Sequence, residues 1–249
     1  MAIGDSFTEG IGDPGTEIDY DEGFRGWADR VAEVLAAQSE DFAYANLGVR
    51  GKLLRGIREE QAEAALALRP DLIIVSAGGN DILRPGTDPE EVSRRLDELV
   101  GLLGRDGATI ALFTGPDIGM RPVMRAIRGK VAIFNQHVHR IARHHDAIVI
   151  DLWALTELRD SRMWSPDRLH FSPLGHHTIA LHVLAALGVE HVLEPAHPPP
   201  LPATPWRQAR TEDLVWAREH LMPWVLRRLQ GRSSGDGRPA KRPELHPLD

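Results

Sequence analysis

Three short clusters in the 249-residue sequence carry side chains able to transfer an acyl group. Gly4-Asp5-Ser6-Phe7-Thr8 offers a hydroxyl beside a carboxylate. Gly78-Gly79-Asn80-Asp81 offers an amide after two glycines. Ser165-Pro166-Asp167-Arg168-Leu169-His170 sets a carboxylate three residues before an imidazole. A hydroxyl is a poor nucleophile at neutral pH, so Ser6 needs a base. His170 would take its proton and return it to a leaving alkoxide, while Asp167 would hold the ring by its other nitrogen and stabilise the imidazolium. Attack on an ester makes an oxyanion, which needs fixed hydrogen-bond donors. Each residue also has a plainer reading. Gly-Asp-Ser is common turn chemistry, Asn80 suits a left-handed backbone, Asp167 can shape a Ser-Pro-Asp turn, and His170 is one of 12 histidines. Their occurrence together and in order favours the hydrolytic site.

For the clusters to meet, the fold must bring them to one edge. Apolar runs at residues 42–47, 72–76, 109–114 and 148–152 are short and bounded by Gly, Pro or Asp, and they read as buried strands. Helical patterns lie between them. Trp27, Val31, Val34 and Leu35 share one face; 56–68 is rich in Ala, Glu and Leu and stops before Pro70. Asp88-Pro89-Glu90-Glu91 is a capped helix start, 123–144 is a further helix, and 173–187 a last one with Ser172 as its cap. This alternation predicts an α/β fold: a three-layer α/β/α sandwich on a mostly parallel, flavodoxin-like sheet of five strands. Such sheets bind ligands beyond the carboxyl ends of their strands, where all three clusters fall. Met1-Ala2-Ile3 would be the first strand, shorter than the usual five or six residues, and the expectation is that the chain start lies inside a longer reading frame.

Composition narrows the chemistry. With no cysteine there is no thiol nucleophile, disulfide or thiolate metal site. A formal net charge of −7 argues against a protein that tracks nucleic-acid phosphates. No apolar run approaches the length of a membrane span and no secretory leader opens the chain, so a cytoplasmic location is expected. Gly10-Ile11-Gly12-Asp13-Pro14-Gly15 fits a dinucleotide-binding expression, but it does not directly follow a strand, and Asp13 would oppose a pyrophosphate. It reads as part of a flexible acidic loop running to Gly23. His137, His139, His144 and His145 lack a carboxylate or third ligand at a telling spacing, and His176 and His177 read as surface or rim residues. No cofactor and no metal is expected. Asp5 and Asp81 read as structural supports of their loops. Arg25, Trp27, Trp153 and Trp164 are candidates to line or border the pocket.

After Glu194 the texture changes. Residues 195–205 hold six prolines and predict an extended linker, 206–230 a helical extension beginning with a cap at Thr211 and kinked near Pro223, and 231–249 a disordered tail. Charge divides at the same place: residues 195–249 carry nine basic and six acidic side chains, and residues 1–194 carry 20 and 30. The compact domain is therefore expected to span 1–194. Leu214, Trp216, Leu221, Trp224, Val225 and Leu229 are expected to pack on that domain rather than on lipid.

Set side by side, the clusters resemble the conserved blocks of the SGNH hydrolases, the GDSL esterase/lipase superfamily. Gly4-Asp5-Ser6-Phe7-Thr8-Glu9-Gly10 resembles the nucleophile block, Asn46-Leu47-Gly48-Val49-Arg50-Gly51 the second, Gly78-Gly79-Asn80-Asp81 the third and Asp167-Arg168-Leu169-His170 the last. Four blocks in order extend the likeness over about residues 1–190. The resemblance implies a serine hydrolase that cleaves carboxylic esters through an acyl-enzyme, with the oxyanion held by the backbone N–H groups of Ser6 and Gly51 and the amide of Asn80. An acyltransferase or a carbohydrate O-deacetylase could use the same site, and a non-catalytic binding module would follow if the short first strand misplaced Ser6. The expected partner is a small-molecule ester.

Overall fold

A computed structural model describes residues 1–15, 23–119, 122–199, 206–223, 226 and 233–248. Its centre is a sheet built from β1 (Ala2–Gly4), β2 (Tyr44–Asn46), β3 (Leu72–Ser76), β4 (Thr109–Phe113), β5 (Ile148–Ile150) and β6 (Arg242–His246), in the order β5-β4-β3-β1-β2-β6. The first five strands are parallel and β6 runs antiparallel to β2. The flavodoxin-like arrangement stands, but the sheet has six strands where five were expected.

Period-two alternation in the strands makes two apolar faces. Ile3, Ile73, Val75, Ile110 and Leu112 point to one face, and Ala2, Ile74, Ala111 and Phe113 to the other. On the first side pack α3 (Leu54–Gly56, continuing through the π-helical turn Ile57–Gln61 into Ala62–Ala67), α5 (Pro89–Leu103) and α7 (Arg128–His144). On the second pack α2 (Gly26–Ala36) and α8 (Pro173–Ala186), around Trp27, Val31, Ile179 and Val183. The shorter helices are α1 (Ser6–Glu9), α4 (Gly79–Ile82) and α6 (Pro122–Arg125). The expected 123–144 helix is thus two helices. Two of the three caps read from the sequence are present: Asp88 Oδ1 accepts the Glu90 N–H at 3.0 Å, and Ser172 Oγ accepts the Gly175 N–H at 3.2 Å.

Beyond residue 194 several expectations are corrected. The helix α9 starts at Trp206, not at Thr211, running to Trp216 and on through π-helical Ala217–Leu221. Residues 242–246, expected in a disordered tail, are β6, so the sheet is completed from outside the 1–194 segment. The physical reason is that an edge strand needs only main-chain hydrogen bonds, which β2 offers, and few apolar side chains. The expected linker falls partly outside the described residues, at 200–205, as do Trp224, Val225, Leu229 and the Leu221 side chain, while Leu214, expected to pack on the domain, is exposed. Among the described residues no helix is long and apolar enough to cross a membrane.

Candidate active site

Three strand-to-helix loops converge at the carboxyl ends of β1 and β3 and at the approach to α8. The first turn is tight. A Cβ on Gly4, whose φ is +154°, would lie 2.3 Å from Thr8 Oγ1 and 2.5 Å from the Ser76 carbonyl oxygen, so only glycine lets the chain leave β1 this close to β3. Gln61 grips the same residue from both sides, accepting the Gly4 N–H at 2.9 Å and donating to its carbonyl at 2.8 Å. The chain then enters α1, capped by Asp5, whose Oδ1 accepts the Phe7 N–H at 3.1 Å. Ser6 is the first residue of α1, where N–H groups have no intrahelical acceptor.

His170 Nδ1 lies 2.5 Å from Asp167 Oδ2, and Oδ1 of the same carboxylate accepts the backbone N–H groups of Leu169 (2.9 Å) and His170 (3.0 Å) and the Ser165 hydroxyl (2.6 Å). Burial would raise the Asp167 pKa. The bond and charge of His170, with these N–H and O–H donors, outweigh burial and hold the carboxyl below its usual range. Ser6, Asn80 and His170 border one cavity of about 220 Å³, whose remaining wall includes Phe113, Ile118, Met124, Val131, Phe134 and Leu152. Gly51 and Asp167 do not line it, Asp167 reaching it only through His170. Among the described residues no hydrogen bond joins Ser6 to His170.

Asn80 Nδ2 donates to Asp5 Oδ2 at 2.9 Å and to the Lys52 carbonyl at 3.1 Å. Both amide hydrogens are therefore engaged, and one must turn to reach an oxyanion. The same bonds bring the Arg50–Lys52 loop beside Asn80. Burial raises the Asp5 pKa to about 6, against the pull of the Phe7 N–H, His170 and the Asn80 amide. Asp5 and Asp81 support their loops as expected, Asp81 by accepting the Leu54 N–H at 2.9 Å at the start of α3.

The second block is a hinge of buried polar bonds. Asn46 Nδ2 donates to the Thr8 carbonyl (2.8 Å) and the Tyr44 hydroxyl (2.9 Å), and its Oδ1 accepts the Gly48 N–H (2.9 Å). Glu9 accepts the Arg50 N–H at 2.6 Å and forms an ion pair with its guanidinium. Glu9, Gln61 and Asn46 were not singled out as supports from the sequence. Glu9 and Asn46 sit inside the quoted blocks, and a carboxylate or amide that is buried beside a loop is the signal they carry.

Other expectations resolve differently. His176 is fully buried, not on the surface or rim, because it bridges two loops: its Nδ1 accepts the Trp27 N–H at 3.1 Å and its Nε2 meets the Ile11 carbonyl at 3.2 Å. His177 is half-buried. Asp13, assigned to a flexible loop, is buried and ion-paired with Arg30; residues 16–22 of that loop lie outside the described residues. Trp164 lines the cavity, whereas Trp27 is core, Trp153 packs under Arg128, and Arg25 pairs with Glu33. The histidine pair at 144–145 does meet a carboxylate, Asp97 of α5, whose oxygen lies 2.6 Å from His145 Nε2 and 3.5 Å from His144 Nδ1. Arg140 shares that carboxylate.

The GDSL-like lipase/acylhydrolase family matches residues 2–178. No curated protein matches the chain. Among solved structures, LAE5, an α/β hydrolase from the metagenome of Lake Arreo, is 24% identical with a TM-score of 0.62, covering 75% of this chain and 93% of its own. An acetyl-xylooligosaccharide esterase from Geobacillus, Axe2, is 22% identical with a TM-score of 0.62, covering 76% and 93%. Variants of Axe2 at one serine and one histidine are described as catalytic mutants. TesA is 19% identical with a TM-score of 0.61, covering 75% and 96%. At these identities the likeness to the solved structures establishes the fold.

Proposed function

Since the chain belongs to the GDSL-like lipase/acylhydrolase family, we propose that it is a serine esterase in which Ser6 attacks the ester carbonyl. His170 acts as general base and then acid, and Asp167 orients the imidazole and stabilises its cation. The backbone N–H groups of Ser6 and Gly51 and the Asn80 amide hold the oxyanion. The observation that carries this reading is His170, held by Asp167, opening with Ser6 on one mostly apolar cavity. That variants of Axe2 at a serine and at a histidine are described as catalytic mutants is in keeping with a serine and a histidine at the centre of this reading. Asn80 would exchange its bond to Asp5 or Lys52 for one to the oxyanion as negative charge develops there.

The cavity also bears on the acyl group. Its wall is mostly apolar, with Phe, Ile, Met, Val and Leu outnumbering the polar Ser76 and Thr114, which favours an apolar acyl chain. At about 30 Å³ for a water-sized unit, 220 Å³ has room for roughly six to eight carbon atoms. Similarity to acetylxylan esterases favours a second reading, a carbohydrate O-deacetylase on the same residues. A series of p-nitrophenyl esters from two to twelve carbons separates the two. The esterase reading expects kcat/KM to peak at six to eight carbons, and acetyl preference with rapid release of acetate from acetylated xylooligosaccharide would replace it by the deacetylase. Ser6→Ala is expected to abolish both turnover and labelling by a fluorophosphonate. Full turnover in that variant would remove Ser6 as nucleophile.

A further inference from the structure

The family match ends at residue 178, yet the chain beyond it touches both loops that carry the chemistry. On one side Trp216, the last residue of the regular turn of α9, donates its Nε1–H to the Asp167 carbonyl at 2.8 Å. Arg168 pairs with Asp213 at 2.5 Å, and its guanidinium lies 5.0 Å from the centre of the Trp216 ring. On the other side a turn at 233–237 covers the peptide between Arg50 and Gly51. Ser233 Oγ–H donates to the Arg50 carbonyl at 3.3 Å while accepting the Gly235 N–H at 3.2 Å.

The fit there is close. A Cβ on Gly51, whose φ is +75°, would lie 2.0 Å from Ser233 Oγ, and a Cβ on Gly235 would lie 1.9 Å from the Arg50 carbonyl oxygen. The Arg50 carbonyl and the Gly51 N–H belong to one planar peptide, so holding the first aims the second. Glu9 already holds the preceding N–H, that of Arg50. The turn cannot lift freely, because β6 pairs with β2 just beyond it. Lys241 is buried between them: its Nζ donates to the Phe24 (3.1 Å) and Arg25 (3.0 Å) carbonyls and forms an ion pair with Asp29.

We infer that the C-terminal segment is an intramolecular clamp on the catalytic loops. Ser233 aligns the Gly51 N–H as an oxyanion donor, and Trp216 fixes the Asp167 backbone from which the His170 ring is held. Both are positioning residues. Their role in turnover rests on the serine-esterase reading; the placement of the Gly51 peptide does not.

The experiment uses the full chain with Ser233→Ala and Trp216→Phe, each removing one hydrogen bond. In both, kcat on the preferred ester is expected to fall five- to twentyfold with KM within twofold and the melting temperature within about 3 °C. Leu214→Gln, on the exposed face of α9, is expected to leave both constants unchanged. In parallel, amide NMR of Ser233→Ala in a Ser6→Ala background reads the loop without turnover, and the Gly51 resonance is expected to shift and its hydrogen exchange to quicken at least tenfold. An unmoved Gly51 amide overturns the clamp. A moved amide with unchanged kcat in both variants overturns the positioning role. A moved amide in a protein whose wild type hydrolyses no ester leaves the Gly51 clamp standing and overturns the esterase reading instead.

Discussion

His176 shows how one side chain can tie the site to solution pH without touching substrate. It stacks 6.0 Å from Phe7 and stands edge-on to Phe171 at 6.1 Å, with Nδ1 accepting from Trp27 and Nε2–H left to donate to Ile11. That pattern needs the neutral ring, and burial lowers its pKa to about 4. The unfolded chain binds this proton below about 6.5 and the folded chain only near 4. The stability it contributes is thus full at pH 7 and is lost as pH falls from about 6.5 through 4, by at most roughly 3 kcal/mol. Asp5 and Asp29, raised by burial to about 6, act in the opposite sense: folded protein takes up their protons first, so they add stability as pH falls from about 6 toward 4. His176→Gln can keep an acceptor and a donor but cannot ionise. Urea unfolding of both proteins at pH 7 and pH 4.5 should show the wild type losing more stability than the variant, by about 1–3 kcal/mol. Equal losses would mean that the imidazole does not remain neutral.

Between α2 and β6 the joint is the buried Lys241–Asp29 pair, and its worth lies in what its loss leaves behind. Lys241→Met strands a carboxylate that is 1% exposed among the Phe24 and Arg25 carbonyls. A buried charge without its partner costs about 3–5 kcal/mol. Because burial already raises the Asp29 pKa to about 6, protonation relieves part of that cost. Thermal unfolding should show a larger deficit for Lys241→Met at pH 8 than at pH 5, and a deficit independent of pH would point to lost packing alone. This joint also marks the limit of what the sequence discloses. Residues 72–76 and 109–113 are apolar runs with turn residues at their ends, so β3 and β4 are legible directly. Arg242-Pro243-Glu244-Leu245-His246 has no apolar run and contains a proline, because an edge strand is selected by the strand it joins. At the site the same division holds. Ser6, Asn80, Asp167 and His170 stand in compact motifs. Gln61 acts on Gly4 from 57 residues away and Ser233 on Arg50 from 183, distances over which spacing carries no information.

Across the whole chain the charge asymmetry has one structural counterpart: Lys241, in the mildly basic final 55 residues, pairs with Asp29 of the acidic body. A second ion pair between the two, Arg168–Asp213, has the opposite polarity. The outermost residues of that final segment also close the sheet. Without β6, β2 would present its unpaired N–H and C=O groups to solvent, a template for another chain. Deleting residues 233–249 is expected to raise the association state with concentration in sedimentation velocity, relative to the full chain; an unchanged profile would show that the β2 edge is protected by other means. The position of β6 at residues 242–246 carries one more consequence, concerning time. A ribosome adds about 5–20 residues per second, so β1 to β5 and every group assigned to the chemistry emerge well before the strand that seals them. For those seconds the nascent sheet has a bare edge and the Arg50–Gly51 peptide lacks its cover. Completion of the sheet is therefore tied to the synthesis of residues 233–246: a chain cut short before them would carry Ser6, Asn80, Asp167 and His170 and still lack the piece that covers the Arg50–Gly51 peptide.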